Sequence, residues 1–265
     1  MTEIPSLKAR LSKYTTKPSE ASYPEFMLFY SQPGSGKTYL AATVSELPTV
    51  KSVLIIDTEG STTGTLATFD DNKIDIVDIR KTVDQINAEN PGAVTYITFL
   101  DQILSDLFTN GSEYDAVVLD TLDVAQDWKI KERQKVNGTK GDAAFATWRE
   151  VADWTEWVGR GFKALNAISI AVMHDREEKS DSGALVKRLR LGGSSKDTFA
   201  GIPDVVAYLT RRVYKVDGED REVTVAEFAS QDGKATKNRF GFDSTMIDPS
   251  IKKMWQHIDN RKEKK

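Results

Sequence analysis

Residues Phe26–Thr38 read Phe-Met-Leu-Phe-Tyr-Ser-Gln-Pro-Gly-Ser-Gly-Lys-Thr, and this stretch constrains the fold more than any other. The apolar run Phe26 to Tyr30 predicts a buried strand. Gln32, Pro33, Gly34, Ser35 and Gly36 cannot continue it, because proline and glycine punctuate a strand. Lys37 and Thr38 then open a segment with apolar residues at Leu40, Ala41, Val44 and Leu47, which predicts a helix that Pro48 ends. Strand, glycine loop, Lys-Thr and helix, in that order, is the context of a phosphate-binding loop. The loop N–H groups and the helix N-terminus would face the β- and γ-phosphates of a nucleotide. Lys37 would bridge those phosphates, and the Thr38 hydroxyl would ligate Mg²⁺. One position departs from the usual pattern: Ser31 stands where a glycine is common.

Bulk properties narrow the remaining classes. A chain of 265 residues accommodates one large α/β domain with small appendages. The net charge of −4 excludes a global basic field for nucleic acid, so any such contact must come from a local patch. The absence of cysteine excludes disulfides, thiolate metal sites and a cysteine nucleophile, and fits a cytoplasmic location. No apolar run approaches ~18 residues, so no membrane span is expected. Met1 to Lys17 lacks the long apolar centre of a secretory signal.

Further apolar runs predict further strands. Ser52–Asp57 is continuous, as in a central strand of a parallel sheet, and ends in Asp57-Thr-Glu-Gly60. Open α/β sheets place ligands at such carboxyl ends. Ile74–Ile79 is short. Asp115–Asp120 is four apolar residues closed by a carboxylate, the Walker B pattern, so Asp120 would hold the Mg²⁺ shell. Ile168–Met173 ends in His174, which fits either a sensor of the γ-phosphate or a hydrogen-bonded core histidine. Helices are expected over 82–90, 96–109, 122–136, 143–166 and 251–258. The tryptophans Trp148, Trp154 and Trp157 have the spacing of core or subunit contacts. Residues 176–196 read as a polar loop, with a short strand or hairpin allowed over 185–191. Lys187, Arg188, Arg190 and Lys196 form its basic patch, read either as a site for nucleic-acid phosphates or as a solvated hairpin. Residues 199–202 read as a turn, 204–210 as a strand and 214–230 as a hairpin.

Two assignments of the carboxylates compete. Asp57-Thr-Glu-Gly60 and Thr139-Lys-Gly-Asp142 imitate the switch and guanine-reading motifs of GTPases. The second lies at the polar end of a helix and follows no buried strand, and that scheme leaves Asp120 idle. The alternative gives each carboxylate a role. Asp120 partners Mg²⁺, and Glu59, at the tip of the neighbouring strand, orients and activates the attacking water.

Ile55-Ile-Asp-Thr-Glu-Gly60 resembles the strand-end motif of RecA-type recombinases. Taken with Pro33–Thr38, Val117–Thr121, Val172–His174 and Ile202–Leu209, the chain from Phe26 to about Phe242 is similar to phage-encoded RecA-like P-loop ATPases, a family that includes single-strand annealing recombinases. The resemblance implies an α/β fold with a mostly parallel central sheet and ATP and Mg²⁺ as cofactors. It implies Glu59 as catalytic base, with Lys37 beside it. It also implies ssDNA as partner, homo-oligomers, a single-strand-binding protein as a further partner, and the host cytoplasm as location. ATP in such assemblies lies at a subunit interface, which makes Lys237 and Arg239 candidates for cations acting on a neighbour's site. The expected division is an N-terminal arm (1–25), an ATPase core (26–213) and a C-terminal hairpin, basic turn, helix and tail (214–265).

Overall fold

Alternate side chains of the first strand, β1 (Phe26–Ser31), enter two separate apolar layers, and all six of its residues are buried. Phe26, Leu28 and Tyr30 join one layer, Met27 and Phe29 the other. A strand buried on both faces belongs inside a sheet covered on both sides. The computed structural model describes residues 23–179, 183, 185–216, 218–229 and 234–263. Most of the expected N-terminal arm lies outside them.

The other strands are β2 (Val53–Asp57), β3 (Ile74–Asp78), β4 (Ala116–Asp120), β5 (Ile168–Lys179), β6 (Leu185–Leu189), β7 (Val205–Val216), β8 (Glu219–Glu227), β9 (Lys237–Asn238) and β10 (Thr245–Ile247). The helices are α1 (Lys37–Ala42), α2 (Thr62–Thr65), α3 (Ile79–Glu89), α4 (Tyr96–Asn110), α5 (Leu122–Asn137), α6 (Gly141–Ala164), α7 (Ser195–Ala200) and α8 (Ile251–Lys262), with a 3-10 turn, Thr43–Glu46, extending α1. The sheet runs β10-β8-β7-β1-β5-β4-β2-β3. From β7 to β3 every neighbouring pair is parallel. Helices α3 to α6 cover one face, with Leu100, Leu104, Trp154 and Phe162 in the layer. Helices α1 and α8 cover the other, through Leu40, Val44, Ile251 and Met254. The α/β architecture with a mostly parallel sheet is therefore as expected.

Strand order decides what meets at the carboxyl edge. The loop-bearing β1 lies between β7 and β5, and β5 separates it from β4. Ser31 is level with His174, and Asp57 with Asp120. The carboxyl ends of β1, β5, β4 and β2 thus form one row.

The details correct several sequence expectations. β5 continues through residues 176–179, because these pair antiparallel with β6. Glu177 lies opposite Lys187 and pairs with it, so polarity here marks a solvated ribbon and not a loop. The first half of the turn expected at 199–202 belongs to α7, which ends at Ala200. β7 runs unbroken through residue 213 and β8 pairs with it from Tyr208 to Val216, so the expected boundary falls within one strand. Thr139-Lys-Gly-Asp142 lies at the junction of α5 and α6 and not at a strand end, which removes the GTPase assignment. Trp154 is buried and its indole N–H donates to Asp101 at 2.7 Å, while Trp157 packs edge-on against Phe108.

Candidate functional site

The glycine loop turns on two residues in the left-handed region, Gly34 (φ 76°) and Gly36 (φ 88°), where a side chain would be strained. Ser31 has no such conformation. It ends β1 fully buried, so the glycine common at this place is not required. The Lys37 ammonium donates to the carbonyls of Ser31 (3.2 Å) and Gln32 (2.8 Å), and the Ser35 hydroxyl donates to Gln32 O (2.8 Å). These bonds keep the loop closed, with Lys37 at its mouth. Burial draws the Lys37 pKa down, against the opposing pull of Asp120, Asp123 and Glu59.

Asp120 ends β4 and is almost wholly buried. Its Oδ2 accepts from the Thr38 hydroxyl at 2.5 Å. Burial pushes its carboxyl up to about 6, with the Asp57 and Glu59 carboxylates adding to the rise. A buried carboxylate beside a hydroxyl, short of positive charge, is a donor pair for a hard cation. Thr38 and Asp120 therefore fit Mg²⁺.

Glu59 is placed by its neighbours. The buried Asp57 carboxylate accepts from the backbone N–H groups of Glu59 (2.8 Å), Gly60 (2.8 Å) and Thr62 (3.0 Å). The Thr58 hydroxyl accepts from Thr121 N (2.8 Å) and donates to Thr121 O (3.0 Å), fastening the end of β2 to the end of β4. Glu59 consequently overlooks a cavity of about 860 Å³ that also receives Lys37, Thr38, Asp120 and His174. Sequence reasoning had assembled these five, and the fold brings them together.

Asp123 escaped it. This residue lies in the first turn of α5 and its side chain is fully buried. Its Oδ1 accepts from His174 N (3.0 Å), its Oδ2 is 3.0 Å from His174 Nδ1, and Arg190 donates to the same Oδ2 at 2.8 Å. Burial pushes the Asp123 carboxyl up, but His174 and Arg190 together hold it below the ordinary range. The hydrogen bond to Asp123 raises His174 above its ordinary value against the effect of burial. His174 Nδ1 is also 3.8 Å from Glu59 Oε1. A chain of charge, Glu59–His174–Asp123–Arg190, thus runs from the cavity to the β5–β6 ribbon. A second acidic residue one helical turn after Asp120 was the available signal, but its partner is 51 residues away.

The remaining sequence candidates lie elsewhere. Lys187 pairs with Glu177 (2.5 Å), Arg190 with Asp123 and Asp127, and Lys196 with Glu178 (2.8 Å), while Arg188 lies opposite Arg176. The patch is thus interleaved with carboxylates, which a reading of its cations alone had overlooked. Lys237 donates to Gly201 O, and Arg239 pairs with Asp204 at 3.1 Å. Asp204 also takes the backbone N–H groups of Glu25 and Phe26, so this cluster sits at the amino end of β1, across the sheet from the glycine loop. Neither cation belongs to its own chain's site.

Asp123→Asn should lower the His174 pKa towards or below the ordinary 6.5, read from the imidazole NMR signals of a chain with two histidines. It should cost on the order of 2 kcal/mol. The raised His174 stabilises fully below about pH 6.5 and loses its contribution as pH rises through its native pKa. The depressed Asp123 stabilises above about pH 4 and loses its contribution as pH falls through its own native value. The wild-type advantage in urea unfolding should therefore be greatest between those limits.

No curated protein matches the chain. Two solved structures are similar over most of its length. The flagellar accessory protein FlaH from Methanocaldococcus jannaschii has 10% identity and a TM-score of 0.42, with 84% of this chain and 83% of that one covered. The RadB recombinase has 12% identity and a TM-score of 0.42, with 85% and 87% covered. A family model described as an AAA domain matches residues 24–240. That span holds the glycine loop, both strand-end carboxylates and His174, and the chain belongs to the AAA domain family.

Proposed function

We propose that the chain binds Mg·ATP at the carboxyl edge of its sheet and hydrolyses it in a RecA-like manner. The observation that carries this reading is the meeting of Lys37, Thr38, Asp120 and Glu59 in one cavity, with Glu59 held there by the capped turn after β2. Gln32, Pro33, Gly34, Ser35 and Gly36 wrap the phosphates with their backbone, and Lys37 leaves its two carbonyls for the β- and γ-phosphate oxygens. Thr38 and Asp120 would hold Mg²⁺, which when bound would supply positive charge to the phosphates. Glu59 takes a proton from the attacking water as its oxygen bonds to the γ-phosphorus, and the bond to the β–γ bridging oxygen breaks. ADP and phosphate leave.

The charge chain gives the hydrolysis an outlet. Glu59 changes its surroundings when the γ-phosphate departs, His174 stands 3.8 Å away, and Asp123 joins His174 to Arg190 on the ribbon. We read the effector of that ribbon as ssDNA, in phage-type recombination or strand annealing by homo-oligomers, with a single-strand-binding protein as a further partner. Lys237 and Arg239 remain candidates for contact with a neighbouring subunit. Surface ion pairs contribute little, so polyanionic phosphate can compete for Lys187 and Lys196. A second reading is favoured by the pairing itself: a ribbon of alternating charge suits a protein partner, and the chain would then be a nucleotide-switched assembly factor such as a helicase loader or packaging accessory.

Lys37→Ala should reduce Mg²⁺-dependent ATP turnover by about 10²-fold or more, measured as phosphate release. Turnover that survives this substitution contradicts the site. Fluorescence anisotropy of labelled ssDNA across a salt series separates the two effectors. Binding that weakens steeply with salt and depends on ATP supports ssDNA. Its absence with and without ATP supports the protein partner.

A further inference from the structure

Turnover of a phosphate anhydride needs positive charge beyond Lys37 and Mg²⁺ when charge moves onto the leaving oxygen, and an arginine is the usual source. Lys237 and Arg239 are on the far edge of the sheet. The cavity, however, has two further cations in its lining, Lys253 and Arg211. Lys253 is tied to the carbonyls of Ile247 (3.2 Å) and Asp248 (2.7 Å), within the segment that precedes α8. Arg211 is on β7 and has its one ion pair among the described residues with Glu222, at 3.0 Å.

The register of the β7–β8 pair fixes where Arg211 points. Arg211 lies directly opposite Thr224. Residues opposite each other in an antiparallel pair project from the same face. Thr224 uses that face to meet the glycine loop: a Cβ built on Gly36 would lie 3.5 Å from its hydroxyl oxygen. Arg211 therefore emerges beside the last glycine of the phosphate loop, while its neighbour Arg212 points the other way and pairs with Glu227. About half of both the Arg211 and the Glu222 side chain is exposed, so their pair is weakly held. A phosphoryl group is a better partner for a planar guanidinium, because it accepts two parallel hydrogen bonds.

We propose that Arg211 is a catalytic cation supplied by the chain to its own ATP. It leaves Glu222 when nucleotide binds and donates to the γ-phosphoryl oxygens as the bridging bond breaks. The β7–β8 hairpin is then the arm that carries the arginine to the loop. The inference rests on the ATPase reading, and one experiment separates the two.

Turnover, and ADP affinity with and without aluminium fluoride as the phosphoryl mimic, are measured for wild type, Arg211→Ala, Arg211→Lys and Arg221→Ala. Arg221 is on the same hairpin, pairs with Glu219 and serves as control. Arg211→Ala should lose about 10³-fold in turnover and lose the gain in ADP affinity that aluminium fluoride confers, with ADP affinity alone unchanged. Arg211→Lys should restore only part of both, because an ammonium cannot donate in two parallel bonds. Arg221→Ala should behave as wild type. Turnover within threefold of wild type in Arg211→Ala, or an intact aluminium fluoride effect, overturns the role of Arg211 and leaves the ATPase reading standing. Recovery of turnover on mixing Arg211→Ala with Lys37→Ala overturns the assignment to the chain's own site. A wild type that neither turns over ATP nor responds to aluminium fluoride overturns the ATPase reading, and Arg211 with it.

Discussion

Asp57 ends β2 with 1% of its surface exposed, and its two carboxylate oxygens accept three backbone N–H groups, from Glu59, Gly60 and Thr62. A buried carboxylate is costly unless its oxygens are satisfied in this way. Once satisfied, it dictates the course of the next five residues. Gly60, at φ 77°, permits the reversal. Glu59 is left at the apex, about one-third exposed, in the lining of the cavity that Lys37 and Thr38 also enter. Without that anchor Glu59 would be a surface carboxylate on a mobile loop, and neither water activation nor contact with His174 would follow from the strand order.

Strand order contributes the second constraint. With β5 between β1 and β4, the residue that follows its buried stretch stands between the glycine loop and Asp120. That residue is His174. Its position would be hazardous for an unpaired imidazole, and Asp123 resolves it by taking both the backbone and the ring N–H. The same carboxylate holds Arg190, so the histidine cannot change charge or position without disturbing the ribbon. Site and ribbon share strand β5, Arg190 N donates to the His174 carbonyl at 3.0 Å, and Oδ2 of Asp123 joins the two side chains.

Much of this was legible in the chain. The β1 loop, the two strand-end carboxylates and the helix after the loop depend on local chemistry: apolar runs, glycines and residues that emerge where a strand stops. What was not legible depends on pairing across long separations. Asp123 has no motif until β5 is laid beside β4. Arg211 reads as an ordinary strand cation until the register with Thr224 brings it to Gly36. The pairing of the basic patch was hidden for a related reason. Glu177 and Glu178 are in the same stretch as the cations, but which of them meets which cation is set by the β5–β6 pairing, and Asp123 and Asp127 come from α5. Charge clustering along a chain is a poor guide where a ribbon returns on itself.

The central claim is that Glu59 activates water while the rest of the cavity binds the nucleotide. Glu59→Gln preserves size and hydrogen bonding and removes the base. After incubation with Mg·ATP and rapid removal of free nucleotide, the account predicts that this variant carries intact ATP at wild-type occupancy, with hydrolysis slowed by about 10²–10⁴-fold. Bound ADP formed at the wild-type rate would contradict it.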